Sequence, residues 1–219
     1  MTLVEAINAR HSVRSFNDKK IDAEIAGELQ KTIDECNRLS GFNIQLVLDE
    51  PNAFSTRMAH YGSFRNCKNY IAMIGPKSCD EKCGYYGEKI VLKAQQLGLN
   101  SCWVALSYGK SKVPCRIPGG QKLYVVIALG YGTSQGVQHK SKSMDELCKV
   151  SGEMPQWFFN AMTLAMLAPT AVNQQKFLFT LDNDTVYAKA LRAFYSKMDL
   201  GIAKYHFEIG AGDAEFKWA

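Results

Sequence analysis

The chain has 219 residues, 47% of them hydrophobic and 21% charged, with a formal net charge of +5. Such a chain has room for one large domain or two small ones, and its composition is that of an ordinary soluble globular protein. Its basic residues are scattered without a long Lys/Arg block, which argues against a nucleic-acid arm, and its apolar runs are broken by charge well short of the ~20 residues a membrane span needs.

Seven cysteines stand at 36, 67, 79, 83, 102, 115 and 148. No secretory signal precedes them, because Glu5 and Arg10 interrupt the apolar start. Reduced thiols in a cytoplasmic protein are the expectation. Cys79 and Cys83 lack C-x-x-C spacing and a second pair, so no metal site is expected.

In chain order, Thr2 and Glu5 form a capping box that opens a helix near residue 3. That helix delivers Arg10-His11-Ser12-Val13-Arg14. Two guanidiniums and a hydroxyl so close together suit an oxyanion, because the arginine fork presents fixed donors; a solvated surface turn is the other reading. Residues 22–38 repeat apolar side chains at helical spacing behind Asp22. Strands are predicted at 42–48, 69–75, 101–106 and 123–129, the last a central one. A helix marked by Tyr86, Ile90, Ala94 and Leu97 stops at Gly98, a left-handed C-cap. Residues 133–152 are polar and turn-rich, the best linker in the chain. Beyond it the pattern predicts a helix at 155–167 with Pro155 in its first turn, a strand at 176–181, and helices around 184–195 and 199–210.

One motif recurs. Ser40-Gly41-Phe42-Asn43-Ile44-Gln45 and Thr170-Ala171-Val172-Asn173-Gln174-Gln175 share hydroxyl, small, apolar, Asn, any, Gln. Each follows a helix and precedes an apolar strand, which suggests an internal duplication. Only the first half carries an arginine cluster ahead of its helix.

These residues resemble the nitroreductase (flavin reductase-like) family. The resemblance rests on Arg10 to Arg14, on Ala168-Pro169-Thr170-Ala171-Val172-Asn173-Gln174-Gln175 as an Ala-Pro-Ser-x-x-Asn-x-Gln loop, and on Leu97-Gly98-Leu99-Asn100-Ser101-Cys102-Trp103. A strand ending in Leu129-Gly130-Tyr131 and the basic pair Lys140 and Lys142 complete it. In the usual member the loop lies early and reaches into a partner subunit. Here the better copy is late, which resembles a single-chain subgroup that mimics the dimer.

The resemblance implies an α+β fold: a three-layer α/β/α sandwich with a mixed, mostly antiparallel sheet and internal pseudo-duplication. Residues 1–150 would form the first half and 151–219 a shorter second half, the two together binding one FMN. It implies an FMN-dependent NAD(P)H oxidoreductase that reduces nitroaromatics, quinones or a related acceptor by ping-pong hydride transfer. Arg10, Ser12, Lys140 and Lys142 would meet the phosphate, with His11 a neighbour of the phosphate or ribityl chain. Arg14 would face the charge that develops on the reduced ring. Backbone amides of Val104, Ala105 and Leu106 would face N5, and Pro169, Thr170, Ala171 and Asn173 the ring edge or ribityl hydroxyls. Many members have Glu-Gly where this chain has Ala105-Leu106. That departure keeps a second possibility open, a flavin-binding protein without turnover. No side chain is expected as a catalytic acid or base. The expected partners are a nicotinamide donor, NADH or NADPH, and a small acceptor, with no nucleic acid or membrane. A monomer or a weak homodimer is expected.

Overall fold

The computed structural model describes residues 1–219 in full. Its chain divides into two compact units, each discontinuous in sequence. The first-half unit comprises Ala9–Cys79 and Ile90–Gln138, and the second-half unit Met1–Asn8, Asp80–Lys89 and His139–Ala219.

The chain opens with α1 (Leu3–Ala9). Its capping box is formed: Thr2 N donates to Glu5 Oε2 at 2.7 Å, and Glu5 N to Thr2 Oγ1 at 3.2 Å. In the first-half unit, α2 (Ala23–Ser40) buries Leu29, Ile33 and Cys36, one stripe at helical spacing. Asp22 occupies the N-cap with extended backbone, but its side chain makes no cap bond. Gly41, at φ 75°, closes the helix by donating to Asn37 O.

Strand β1 (Gln45–Val47) is shorter than the expected 42–48. Asn37 explains the loss: its Oδ1 accepts from Ile44 N at 2.7 Å and its Nδ2 donates to Ile44 O at 2.9 Å. A side chain of α2 thus takes the backbone groups that a strand ladder would use. After α3 (Arg57–Tyr61) comes β2 (Asn69–Pro76), then α4 (Asp80–Gln96), whose residues from Ile90 onward belong to this unit. Gly98, at φ 80°, stands where the helix was expected to stop. Strands β3 (Asn100–Val104) and β4 (Gln121–Gly130) complete an antiparallel sheet of order β1-β2-β4-β3. The two middle strands are almost wholly buried and read as continuous apolar runs.

The C-terminal stretch of the second-half unit begins at His139, within the run expected to be a linker. Only its first part is irregular; α5 (Met144–Leu147) carries a capping box of Ser143 and Glu146, and β5 (Cys148–Val150) pairs in parallel with β6 (Phe177–Asp182). Lys149 is exposed while Cys148 and Leu147 are buried, so a short half-buried element reads as polar linker in sequence. Between these strands lies α6 (Gln156–Ala165), with Pro155 at its N-cap. The helix expected at 184–195 is instead β7 (Thr185–Ala190), the antiparallel partner of β6. Asn183, at φ 53°, makes the tight turn between them, and Thr-Val-Tyr favours the strand. Helix α7 (Ser196–Ala211) and the short β8 (Lys217–Trp218), parallel to β7, finish the unit.

Helix α7 packs on the first turns of α4 through facing glycines. A Cβ on Gly84 would lie 1.9 Å from Met198 O, and one on Gly201 1.9 Å from Glu81 O. Phe158, Phe179, Phe207 and Trp218 form the aromatic core beside them. His206 is fully buried there: Nδ1 donates to Leu164 O at 3.1 Å, and Nε2 lies 3.0 Å from Glu88 Oε1. None of the seven cysteines is in a disulfide, and no helix is long and apolar enough to cross a membrane.

Candidate functional site

The residues singled out in sequence fall into two clusters, one in each unit. In the first-half unit, residues 12–17 run extended beside the sheet. Ser12 bridges in parallel to Ser101, Val13 N donates to Ser101 O at 3.0 Å, and Phe16 N to Arg65 O at 3.1 Å. Val13 and Phe16 are buried as anchors. Ser12 and Arg14 stand at alternate positions of this segment, the spacing that puts side chains on one side of extended chain, and Arg10 just precedes it.

Cys102, buried in β3, lies within the electrostatic reach of all three. Burial pushes its thiol up, while the Arg14 charge, a hydrogen bond with Ser12 and the Arg10 charge pull the other way. Arg10 is 3% exposed, whereas Ser12 and Arg14 are open to solvent. The buried Nε and Nη1 of Arg10 meet no hydrogen-bond acceptor, although the side chain is otherwise engaged. His11 is half-buried, its Cβ in the space a Cβ on Gly136 would take. Val104 ends β3, buried; Ala105 and Leu106 lie beyond the strand in a bend, not within it as expected, and Leu106 is exposed.

In the second-half unit the structure brings Lys140 and Lys142 together with the loop at 169–175. Gln175, 2% exposed, is the hub. Its Oε1 accepts from Lys142 N at 2.8 Å, and its Nε2 donates to Lys140 O at 2.9 Å. Asn173 Nδ2 donates to the same carbonyl at 3.0 Å, and Thr170 Oγ1 accepts from Gln175 N at 3.0 Å. Lys142 Nζ reaches Gln175 O at 3.4 Å, while Lys140 is exposed. The loop is strained: Val172, Asn173 and Gln175 have φ of 46°, 55° and 47°. For Val172, β-branched and 97% exposed, this conformation costs ~1–2 kcal/mol that no packing repays.

Three participants escape a sequence reading. Gln175 is visible only as the last letter of the loop motif. Asp199, 3% exposed in α7, accepts from Ala171 N at 3.0 Å and from Gln174 Nε2 at 2.7 Å. Burial raises its pKa to about 6, against the lowering effect of those two hydrogen bonds. An acidic residue in a helix's first turns has an ordinary capping explanation, so no sequence signal marks it. His139, next to Lys140, has both ring nitrogens buried and without hydrogen-bond partners. A cleft of about 460 Å³ beside Arg192 and Lys197 is lined by none of the expected residues. No three His, Cys, Asp or Glu side chains gather as a metal site would require.

A family model described as "Putative TM nitroreductase" matches residues 2–211. The chain belongs to this nitroreductase family. Among solved structures, a "putative nitroreductase" from Thermotoga maritima is 21% identical, with a TM-score of 0.67 over 96% of this chain and 83% of that one. A "putative nitroreductase in complex with fmn" from Desulfovibrio desulfuricans is 17% identical, with a TM-score of 0.54 over 71% of this chain and 98% of that one. A "Putative NADH dehydrogenase/NAD(P)H nitroreductase" from Parabacteroides distasonis is 18% identical, with a TM-score of 0.52 over 66% of this chain and 95% of that one. At such identities the likeness is one of fold. No curated protein matches the sequence. Mixed α+β architecture is what this chain shares with them, here with one antiparallel sheet and one mixed sheet.

Proposed function

We propose that this chain is an FMN-dependent NAD(P)H oxidoreductase acting on nitroaromatics, quinones or a related small acceptor. The observation that carries the reading is the placement of Arg10, Ser12 and Arg14 at and just ahead of the extended segment that pairs with Ser101 and Arg65, in a chain matched to the family from residue 2 to 211. A buried guanidinium backed by an exposed hydroxyl and a second guanidinium fits a phosphate, which offers several acceptors to charge-assisted donors.

FMN, when bound, supplies hydride acceptance and release at N5 for a ping-pong exchange. The chain binds, orients and sets charge. Arg10 and Ser12 are assigned the phosphate, with Lys140, Lys142 and His11 adding donors. Arg14 supplies a fixed cation for the negative ring. Val104, Ala105 and Leu106 offer backbone N–H groups, and Pro169, Thr170, Ala171 and Asn173 a polar edge held by Gln175. No side chain is assigned a proton-transfer role. NADH or NADPH is the assigned donor, the cytoplasm the assigned compartment, and a monomer or weak homodimer the assigned state.

The test is an absorption spectrum of the purified protein with FMN, followed by anaerobic NADPH. Bound-flavin bands that bleach are expected. Arg10→Ala is expected to weaken FMN by about 10- to 100-fold, the worth of one charge-assisted contact set. A wild type that never binds FMN sinks the reading; one that binds but oxidises no NAD(P)H above free FMN leaves the non-catalytic flavoprotein.

A further inference from the structure

The loop at 170–175 is bonded to a buried carboxylate. Asp199 bonds the loop at two points: Oδ1 accepts from Ala171 N and Oδ2 from Gln174 Nε2. Gln174 Nε2 also donates to Phe194 O at 2.7 Å, so one amide ties the loop to the segment that leads into α7. Val172 and Asn173 lie between the two bonded points in left-handed conformations, and Val172 has no packing to hold it there. A strained exposed segment persists only where its surroundings over-determine it. Here those surroundings are Asp199 on one side and Gln175 on the other.

The first-half motif shows that such a carboxylate is not needed for the turn itself. There the residue matching Gln174 is Ile44, buried, with its backbone held by the neutral amide of Asn37. Asp199 therefore does something beyond building an Asn-x-Gln turn. We propose that Asp199 is a positioning residue, acting through Ala171 N and Gln174 to fix the Thr170–Asn173 loop in the conformation that receives the flavin. This rests on the FMN reading above.

The test measures the FMN dissociation constant by flavin fluorescence, and the thermal midpoint, for Asp199→Ala, Asp199→Asn, Gln174→Met and the remote control Asp184→Asn. Loss of two bonds to a charged acceptor predicts about tenfold weaker FMN binding for Asp199→Ala. Asp199→Asn keeps an acceptor for Ala171 N and is expected in between. Gln174→Met added to Asp199→Ala should weaken binding no further, since both act on one loop. The control should bind as wild type. A merely structural Asp199 would lower the midpoint and leave the dissociation constant of the folded protein unchanged, which overturns the proposal. Should Asp199→Ala fail to fold, Gln174→Met decides: wild-type affinity overturns the proposal, weaker affinity supports it. Failure of the wild type itself to bind FMN would remove the flavin reading, a distinguishable result.

Discussion

The two Asn-x-Gln motifs make the same bonds and put them to different use. In the first-half unit, Asn43 Nδ2 and Gln45 Nε2 donate to one carbonyl, Arg116 O, at 3.1 and 2.7 Å, and Gln45 Oε1 accepts from Arg116 N at 3.3 Å. In the second-half unit, Asn173 and Gln175 converge on Lys140 O, and Gln175 Oε1 accepts from Lys142 N. Around that shared clasp everything differs. The apolar third position is Phe42, 6% exposed and stacked on Tyr124 with ring centroids 5.8 Å apart, against Val172, 97% exposed and left-handed. The small second position is Gly41 at φ 75° against Ala171, whose N–H is taken by Asp199. One loop is folded into its core. The other is held out of it, at a cost, by buried polar groups. That contrast fits the flavin role proposed for the second loop.

Cutting the apolar position should separate them most. Phe42→Ala is expected to lower the unfolding free energy by about 3–5 kcal/mol, the range for deleting a buried ring. Val172→Ala should stay within about 0.5 kcal/mol. Urea unfolding of both variants measures the gap, and equal effects would erase the distinction.

Next in size is a pH dependence confined to the second loop. Asp199 has a folded pKa of about 6 against an ordinary 3.8. A raised folded pKa means stability fully present below the unfolded value and lost as pH rises through the folded one. Wild type should therefore lose on the order of 2–3 kcal/mol from this group between pH 4 and 7. Asp199→Asn should lack that component, so the difference between the two proteins should change with pH over that window. A constant difference would show that Asp199 is not the titrating group.

The smallest effects should have opposite signs. Val172→Gly removes left-handed strain and is expected to stabilise by about 0.5–1 kcal/mol, after the entropy glycine costs in the unfolded chain. Gly41→Ala places a Cβ at φ 75° and should destabilise by about 1 kcal/mol. Thermal midpoints read both.

Local signals were legible where one cause acts alone. The Thr2–Glu5 box, the stripe Leu29-Ile33-Cys36 and the stop at Gly98 are each decided by near neighbours, and each formed. The strand at 69–76 and the one ending at Gly130 are decided by unbroken burial. Residues 184–195 misread as helix because Tyr187, Lys189 and Leu191 carry no firm period, and only the turn at Asn183 and pairing with β6 select a strand. The run at 133–152 misread as linker because a three-residue strand half open to solvent has too few apolar positions to register.

For the site, the residue types were in the sequence: the alternating Arg10, Ser12 and Arg14, and a loop whose Asn and Gln recur. Sequence by itself determined those donors and the family they belong to, because both are carried by short contiguous patterns. Only the tertiary structure decided which acidic residue matters. Asp199 is one of 21 Asp and Glu residues, and nothing local distinguishes it from a first-turn cap. Its burial beneath a loop 25 or more positions away turns a solvated charge into a group that costs free energy unless it is bonded, and that bonding fixes Ala171 and Gln174.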